Sequence, residues 1–248
     1  MSKNLPQKQS SRFTRFIRKL RRDQRGLALI EFAYSLPIFT GLGMYGIETA
    51  YFAVTTMKVS QAALNLSDNA SRMGQTITGT ASPTINESGV IDVMAGIRLQ
   101  TDAINLLENG RVVLTSLEVL PSGQQFIHWQ RCKGVFDSGN AQDSDYNDDK
   151  DDDGNPDTDF IGMGEAGQQV QAVANSAVMF VEIEYEYSPL FGSLFLSKKM
   201  IRQEAAFNIR DDRNLGAGLH NDADSDPSID PETNATSMAA SCLKYDAS

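Results

Sequence analysis

The chain has 248 residues, and 41% of them are apolar, which is enough for one packed domain with appendages. Its net charge of −10 is divided unevenly: the segment before Gly26 holds nine basic residues and one acidic residue, whereas the rest holds 13 basic and 31 acidic residues. A basic end on an acidic body indicates two environments. The apolar run after Arg25 favours a membrane and argues against nucleic acid as the partner of the basic arm.

The first predicted element is a membrane-spanning helix that begins at Leu27. Residues 27–47 contain one charged side chain, Glu31, and about 20 apolar residues are enough to cross a bilayer core as a helix. We assign residues 27–57 to this helix and residues 1–26 to a cytoplasmic leader, because the basic side of a span stays in the cytoplasm. A secretory signal peptide would have a shorter apolar region, and a buried core helix is the remaining alternative.

A proline and a run of small residues lie inside the predicted span. Pro37 removes one helical hydrogen bond and is expected to kink the helix, which neighbouring helices can compensate. The small residues would either let a second helix pack closely against this one or only lower the stiffness of the helix. They are Gly41, Gly43, Gly46 and Ala50.

The residues around Glu31 resemble the processing site of type IV prepilins. A basic leader ends in Gly26, an apolar helix follows from Leu27, and a carboxylate stands fifth after the glycine. In that family a membrane aspartyl peptidase cuts after the glycine, so the resemblance implies a cut between Gly26 and Leu27. Glu31 would then pair with the new α-amine of a neighbouring subunit, because two charges that are costly alone in lipid are tolerable together. The alternative is that Glu31 only reaches the headgroups.

The wider segment is similar to the TadE/TadG-like family of the tight-adherence (Flp-type) pilus machinery. The similarity rests on Arg25-Gly26, Glu31-Phe32-Ala33, Pro37 and Ile47-Glu48. It implies a minor pilin or pseudopilin that helps to assemble or anchor the pilus. Such a protein has one span in the bacterial inner membrane and a periplasmic C-terminal domain, and it can enter an extracellular pilus. The implied partners are a prepilin peptidase, other pilin-like subunits, the inner-membrane assembly platform and the lipid bilayer.

Residues 58–213 are predicted to form the periplasmic domain, with an α+β fold in which helix packs on sheet as in pilins. Apolar residues at helical spacing continue the first helix to Met73 and predict a second helix over residues 90–107. Alternating patterns predict four antiparallel strands, of which the first two form a hairpin. These strands are residues 112–120, 124–132, 177–187 and 200–209.

Two patterns near the third strand bear on what covers the sheet. The odd-numbered residues from Met179 to Tyr187 are predicted to face the core, whereas Glu182, Glu184 and Glu186 are predicted to face solvent. The loop at residues 189–196 is strongly apolar. It is interpreted as core if buried, and as a contact for a partner or a membrane if exposed.

The two cysteines, Cys132 and Cys242, both lie on the predicted periplasmic side, where disulfides persist. A bridge between them would tether the acidic tail, residues 214–248, to the sheet. Two free thiols are the alternative.

An acidic loop at residues 137–160 is the candidate metal site. Asp149, Asp151, Asp153 and Asp157 place oxygen ligands in the pattern of a calcium loop, with Gly154 for the turn. Phe160 stands where an EF-hand needs a bidentate glutamate, so the loop is closer to those of thrombospondin type 3-like repeats. The cofactor would be Ca²⁺, and a solvated acidic loop is the alternative.

No sequence motif indicates an enzyme. Nucleophile elbows, phosphate loops, zinc spacings and dinucleotide fingerprints are missing from the sequence. Two hypotheses therefore stand: a processed minor pilin or pseudopilin, and an unprocessed membrane-anchored periplasmic module that binds a ligand in a calcium-dependent way. The mature N-terminus separates them, because only the first begins at Leu27.

Overall fold

A computed structural model describes residues 12–22, 26–74, 85–120, 122–134, 144, 146, 160–210 and 219–220. The chain divides into two compact units, Met1–Thr49 and Ala50–Ser248, a division that falls earlier than the predicted boundary at residues 57–58. A long N-terminal apolar helix and a four-stranded antiparallel sheet give it an α+β fold.

The helices follow the apolar periodicity of the sequence, with one interruption. Those in the described part of the chain are α1 (Arg12–Arg22), α2 (Leu27–Ser71), α3 (Glu87–Thr101) and α4 (Leu106–Asn109). The predicted second helix is divided into α3, a 3₁₀ turn at Asp102–Ile104, and α4. The break lies at Asn105, whose φ of 49° is left-handed and incompatible with a continuing helix.

The four predicted strands are confirmed, with ends that differ by no more than two residues. They are β2 (Gly110–Val119), β3 (Gln125–Lys133), β4 (Val178–Tyr187) and β5 (Lys199–Asn208), preceded by a short β1 (Ile85–Asn86). The sheet order is β3-β2-β4-β5, with every neighbouring pair antiparallel. Gly123, at φ 91°, supplies the left-handed turn residue of the β2–β3 hairpin. A further strand, β6 (Leu219–His220), pairs with β1 in parallel and was not predicted from the sequence.

One face of the sheet packs against the second half of α2 and against α3. The predicted helix residues from Ala62 to Met73 are buried in one cluster with the odd-numbered residues of β4. The side chain of Ser67 donates a hydrogen bond to the carbonyl oxygen of Met179 over 2.9 Å. Helical spacing on α2 and alternation on β4 therefore build one core, as predicted.

The opposite face of the sheet is also covered, which the strand pattern did not predict. Phe180 and Leu117 join a second buried cluster with Met163, from the segment 160–173. Gln125 attaches this segment by two hydrogen bonds to the backbone of Ala172, of 3.0 and 2.7 Å. The covering segment comes from the long insertion between β3 and β4, so local alternation carried no sign of it.

The expectation that the glutamates of β4 face solvent is wrong for Glu182. This residue is buried, at 8% exposure, and its carboxylate accepts a hydrogen bond from Ser144. A carboxylate leaves water only where polar partners replace its hydration. Such a partner is supplied here by a residue 38 positions away in the chain.

Candidate membrane anchor and processing site

The predicted processing site coincides with the start of α2. Gly26 directly precedes the helix, and its carbonyl oxygen accepts a hydrogen bond from the Ile30 backbone N–H over 3.1 Å. Leu27 and Glu31 are both exposed and lie within the first turns. A cut after Gly26 would therefore leave a free α-amine at the first residue of an already formed helix, about one turn from a carboxylate.

The first half of α2 is a bare apolar surface. Among the described residues, α2 is the one helix long and apolar enough to cross a membrane, and none of its most apolar 18-residue window is buried. The large side chains that are at least half exposed are Leu27, Leu29, Ile30, Phe32, Tyr34, Ile38, Phe39, Leu42, Tyr45 and Ile47. Burying one such side chain stabilises by about 1.5–3 kcal/mol. The helix therefore fits a membrane anchor, and it does not fit the core helix considered as an alternative.

The structure carries α2 through Pro37 without interruption. Hydroxyl groups on either side of Pro37 bond to helix carbonyls, from Ser35 to Phe32 over 3.1 Å and from Thr40 to Leu36 over 2.7 Å. These hydrogen bonds satisfy the hydroxyl groups of Ser35 and Thr40 within the helix itself.

The glycines of the span have no packing role within the described chain. A Cβ atom placed at Gly41, Gly43 or Gly46 would meet no described atom within 4 Å. Ala50, at the end of the same small-residue run, is exposed. The two interpretations of the run, contact with a partner helix and lower helix stiffness, both stay open, and packing inside the protein is not the reason for it.

Glu48 is a feature that the sequence analysis used only as part of the family resemblance. Its side chain is completely buried and has an interaction partner. Burial of a carboxylate is costly unless polar partners replace water. The signal in the sequence was a second acidic residue within residues 27–57, and nothing local distinguished it from a solvated one.

The predicted leader contains a helix, α1, that the sequence analysis did not predict. Phe16, Ile17 and Leu20 are exposed on it among several basic residues. Basic helices with an apolar side bind membrane surfaces. The i, i+1 and i+4 spacing of these three residues was the available signal, and it fits a leader held on the cytoplasmic face.

The structure describes one of the two cysteines of the predicted bridge. Cys132 is completely buried beside Val113 and carries no free thiol. Cys242 lies outside the described residues, so the bridge between the two cysteines stays a prediction.

The predicted calcium ligands, Asp149, Asp151, Asp153 and Asp157, also lie outside the described residues. Within the described ranges, no group of three or more acidic, histidine or cysteine side chains is placed to hold a metal ion. Tyr146 and Phe160 are described residues of the loop that lie before and after the four aspartates, and both pack against the second cluster. The ring centroids of Tyr146 and Phe180 are 5.7 Å apart. The loop is thus attached to the sheet face opposite α2 on both sides of the four aspartates.

His128, the histidine predicted to lie on a strand, is on β3 at an irregularity of the β2–β3 register. Its Nδ1 lies 2.9 Å from Glu118 Oε1, and this oxygen accepts a hydrogen bond from the Ser116 hydroxyl over 3.0 Å. The side chains of Ser116, Glu118 and His128 thus form one polar cluster near the hairpin.

The described geometry therefore places Gly26, Leu27 and Glu31 together on an exposed apolar helix, and it leaves the metal prediction and one cysteine undescribed. Comparisons of the chain with family models, with curated proteins and with solved structures found no match.

Proposed function

We propose that the chain is a minor pilin or pseudopilin that takes part in assembling or anchoring a tight-adherence (Flp-type) pilus. The observation that supports this proposal best is the start of α2. There Gly26 precedes the first helical residue, Glu31 is exposed, and a bare apolar surface follows. A soluble helix would bury that surface, whereas a subunit held in lipid and then packed among other subunits would not.

The proposed sequence of events has two steps. A prepilin peptidase cuts between Gly26 and Leu27 and removes the leader that holds the segment on the cytoplasmic side. The mature helix then packs in a pilin-like assembly, where Glu31 pairs with the α-amine of a neighbouring subunit. The domain that begins after the span stays in the periplasm and is placed by this helix on the assembly platform or within the fibre.

Processing is tested on the full chain produced together with an active prepilin peptidase. We expect N-terminal sequencing of the membrane-bound protein to begin at Leu27, and Gly26→Ala to retain the leader. Gly41→Ala is the matched control, because a Cβ atom at Gly41, as at Gly26, would meet no described atom within 4 Å. An intact leader on the unsubstituted chain in the presence of that peptidase would contradict the proposal.

Assembly is tested separately with Glu31→Gln, which keeps the size of the side chain and removes its charge. The variant should still be processed, since Gly26 is unchanged, but it should be lost from the sheared pilus fraction because the pairing with the α-amine is gone. Recovery equal to that of the unsubstituted protein would exclude the pairing.

A second candidate is the unprocessed, calcium-dependent binding module. The observation in its favour is the attachment of Tyr146 and Phe160, which lie before and after the four aspartates, to one cluster on the sheet. Anchored loop ends reduce the entropy lost when oxygen ligands close around a cation. An intact leader together with a calcium-dependent rise in the unfolding temperature, abolished by Asp151→Asn with Asp153→Asn, would favour this candidate.

A further inference from the structure

The loop between β4 and β5, residues 188–198, lies at the end of its unit where the chain enters. Tyr187, the last residue of β4, packs its ring against the rings of Tyr51 and Phe52 on α2, with centroid distances of 5.8 and 5.0 Å. After the loop, the ammonium group of Lys199 lies 5.9 Å from the centroid of the Phe52 ring. The unit begins at Ala50. Both ends of the loop are therefore held beside the first turn of α2 within this unit.

The loop exposes large apolar side chains. Leu190 and Leu194 are 53% and 70% exposed. Phe191 and Phe195, which follow them directly in the sequence, pack their rings edge to face with centroids 6.3 Å apart. A short 3₁₀ turn, Gly192–Leu194, forms the middle of the loop. Of the two interpretations that the sequence leaves open, exposure favours a contact for Leu190 and Leu194, whereas Phe191 and Phe195 are half-buried and Leu196 packs against the core cluster.

The loop and the start of β5 are basic, unlike the chain as a whole. Residues 188–202 contain Lys198, Lys199 and Arg202 and no acidic residue, although the chain as a whole has a net charge of −10. The acidic side chains of the neighbouring strand are engaged with this group, since Glu186 pairs with Lys198 and Glu184 pairs with Arg202. An apolar and aromatic tip with basic residues behind it is the composition that binds a lipid surface with anionic headgroups.

The position of the loop along the chain identifies its partner. If residues 27–47 cross the hydrocarbon, as in the proposed function on which this inference rests, about 21 residues rise about 30 Å and reach the outer interface near residue 47. Tyr51 and Phe52 follow within about two turns, and the loop packs beside them. Within its own unit, the loop therefore lies at the end from which α2 continues back toward the proposed span.

We propose that residues 189–196 form a second membrane contact, in which Leu190 and Leu194 insert into the outer leaflet. Lys198, which pairs with Glu186, and Lys199, which lies over the Phe52 ring, follow the tip in the sequence. The contact would hold the domain close to the bilayer until the subunit is withdrawn from it.

The test uses tryptophan substitutions in the full chain, reconstituted in vesicles of phosphatidylethanolamine and phosphatidylglycerol whose acyl chains are brominated. Leu194→Trp is compared with Leu99→Trp, because Leu99 is more exposed, at 83%, and lies on α3. The single native tryptophan, Trp129, is common to both variants. We expect brominated lipid to quench Leu194→Trp at least about two-fold more strongly than Leu99→Trp.

A third variant, Ile38→Trp, separates this inference from the proposed function. Ile38 lies in the middle of the proposed span and is 63% exposed. Quenching of Ile38→Trp without quenching of Leu194→Trp would overturn the loop contact and leave the anchor intact. Absence of quenching at Ile38 would overturn the anchor itself. A Leu194→Trp side chain that is shielded from aqueous acrylamide but not quenched by lipid would show a protein contact and would also overturn the inference.

Discussion

Two residue contacts show how closely the sheet and its surroundings depend on single atoms. The phenol of Tyr185 is buried and donates a hydrogen bond over 3.0 Å to the carbonyl oxygen of Ile104. Burial, with a smaller contribution from Tyr51, raises the pKa of Tyr185. Gly134 follows β3 at φ +130°, and a Cβ atom there would lie 2.3 Å from the Gly110 carbonyl oxygen. The hydroxyl group of Tyr185 and the absence of a Cβ atom at Gly134 each allow a strand end to pack against its neighbours.

We expect Tyr185→Phe to lower the free energy of unfolding by about 1 kcal/mol at neutral pH, because the Ile104 carbonyl loses its donor. The raised pKa means that the unfolded phenol ionises first, so the stabilising effect of Tyr185 is complete below pH about 10 and is lost above it. The difference between Tyr185→Phe and the unsubstituted chain should therefore narrow in denaturant titrations above pH about 10. A constant difference across this range would refute the assignment.

Gly134→Ala should destabilise the domain by more than about 2 kcal/mol, because the new Cβ atom meets backbone atoms that cannot yield and the left-handed φ strains an alanine. Gly96→Ala is the matched control. A Cβ atom at Gly96 meets nothing described within 4 Å inside α3, so this change should stabilise by about 0.5–1 kcal/mol. Equal effects in thermal unfolding would show that the close approach at Gly134 is misjudged.

At the scale of elements, α2 changes its surroundings along its length. Its first half is exposed and apolar, whereas from Val59 onward one side of it is buried against the sheet. Ser67 and the pair Asp68–Arg210, joined over 2.8 Å, fix this second half to β4 and to the end of β5. One helix thus combines a surface suited to lipid with a surface that builds the domain core.

The two faces of the second half of α2 should respond differently to truncation. Leu66→Ala removes a side chain that is 1% exposed and should cost about 2–5 kcal/mol, because a cavity is left in the core. Leu64→Ala removes the same atoms from a position that is 48% exposed and should change stability by less than about 0.5 kcal/mol. Chemical denaturation of both variants in detergent measures the difference, and similar losses would contradict the helix-on-sheet packing.

At the scale of the whole molecule, the chain consists of two compact units with different demands on their surroundings. The unit Ala50–Ser248 contains both buried clusters and the four-stranded sheet. The unit Met1–Thr49 contains α1 and the exposed apolar half of α2. The unit Ala50–Ser248 has its own core. The unit Met1–Thr49 exposes an apolar surface that lipid or other helices would cover.

A fragment that begins at Ala50 should therefore be soluble without detergent and should unfold cooperatively, because its core is contained within it. The full chain should require detergent or lipid. Circular dichroism during thermal unfolding and analytical ultracentrifugation test both statements. Aggregation of the fragment, or a gradual transition, would show that the core depends on residues before Ala50.

The predicted bridge also belongs to the whole molecule, because it would join a buried strand residue to the tail. In the chain-entropy model, closing such a long loop stabilises by about 4–5 kcal/mol, and often by less in practice. Cys242→Ser should then lower the unfolding temperature of the unsubstituted chain and cause no further loss in a Cys132→Ala background, where the bridge is already absent. A further loss in that background would argue for separate roles of the two cysteines.

The sequence alone determined the elements whose patterns are local. Four strands, their hairpin, the buried stripe of α2 and the long apolar run after Gly26 could all be predicted, because side-chain periodicity and turn residues record which side of an element faces water or lipid. The candidate processing residues Gly26, Leu27 and Glu31 were predicted from the resemblance of a contiguous motif, and their role stays a prediction.

Only the tertiary structure decided which surfaces are covered by distant parts of the chain. The segment 160–173 buries the second face of the sheet, Ser144 makes the burial of Glu182 tolerable, and the left-handed Asn105 divides a helix that periodicity made continuous. The exposure of the loop with Leu190 and Leu194 is of the same kind. The physical reason is that burial depends on which remote residues arrive at a surface, and a local pattern holds no information about them.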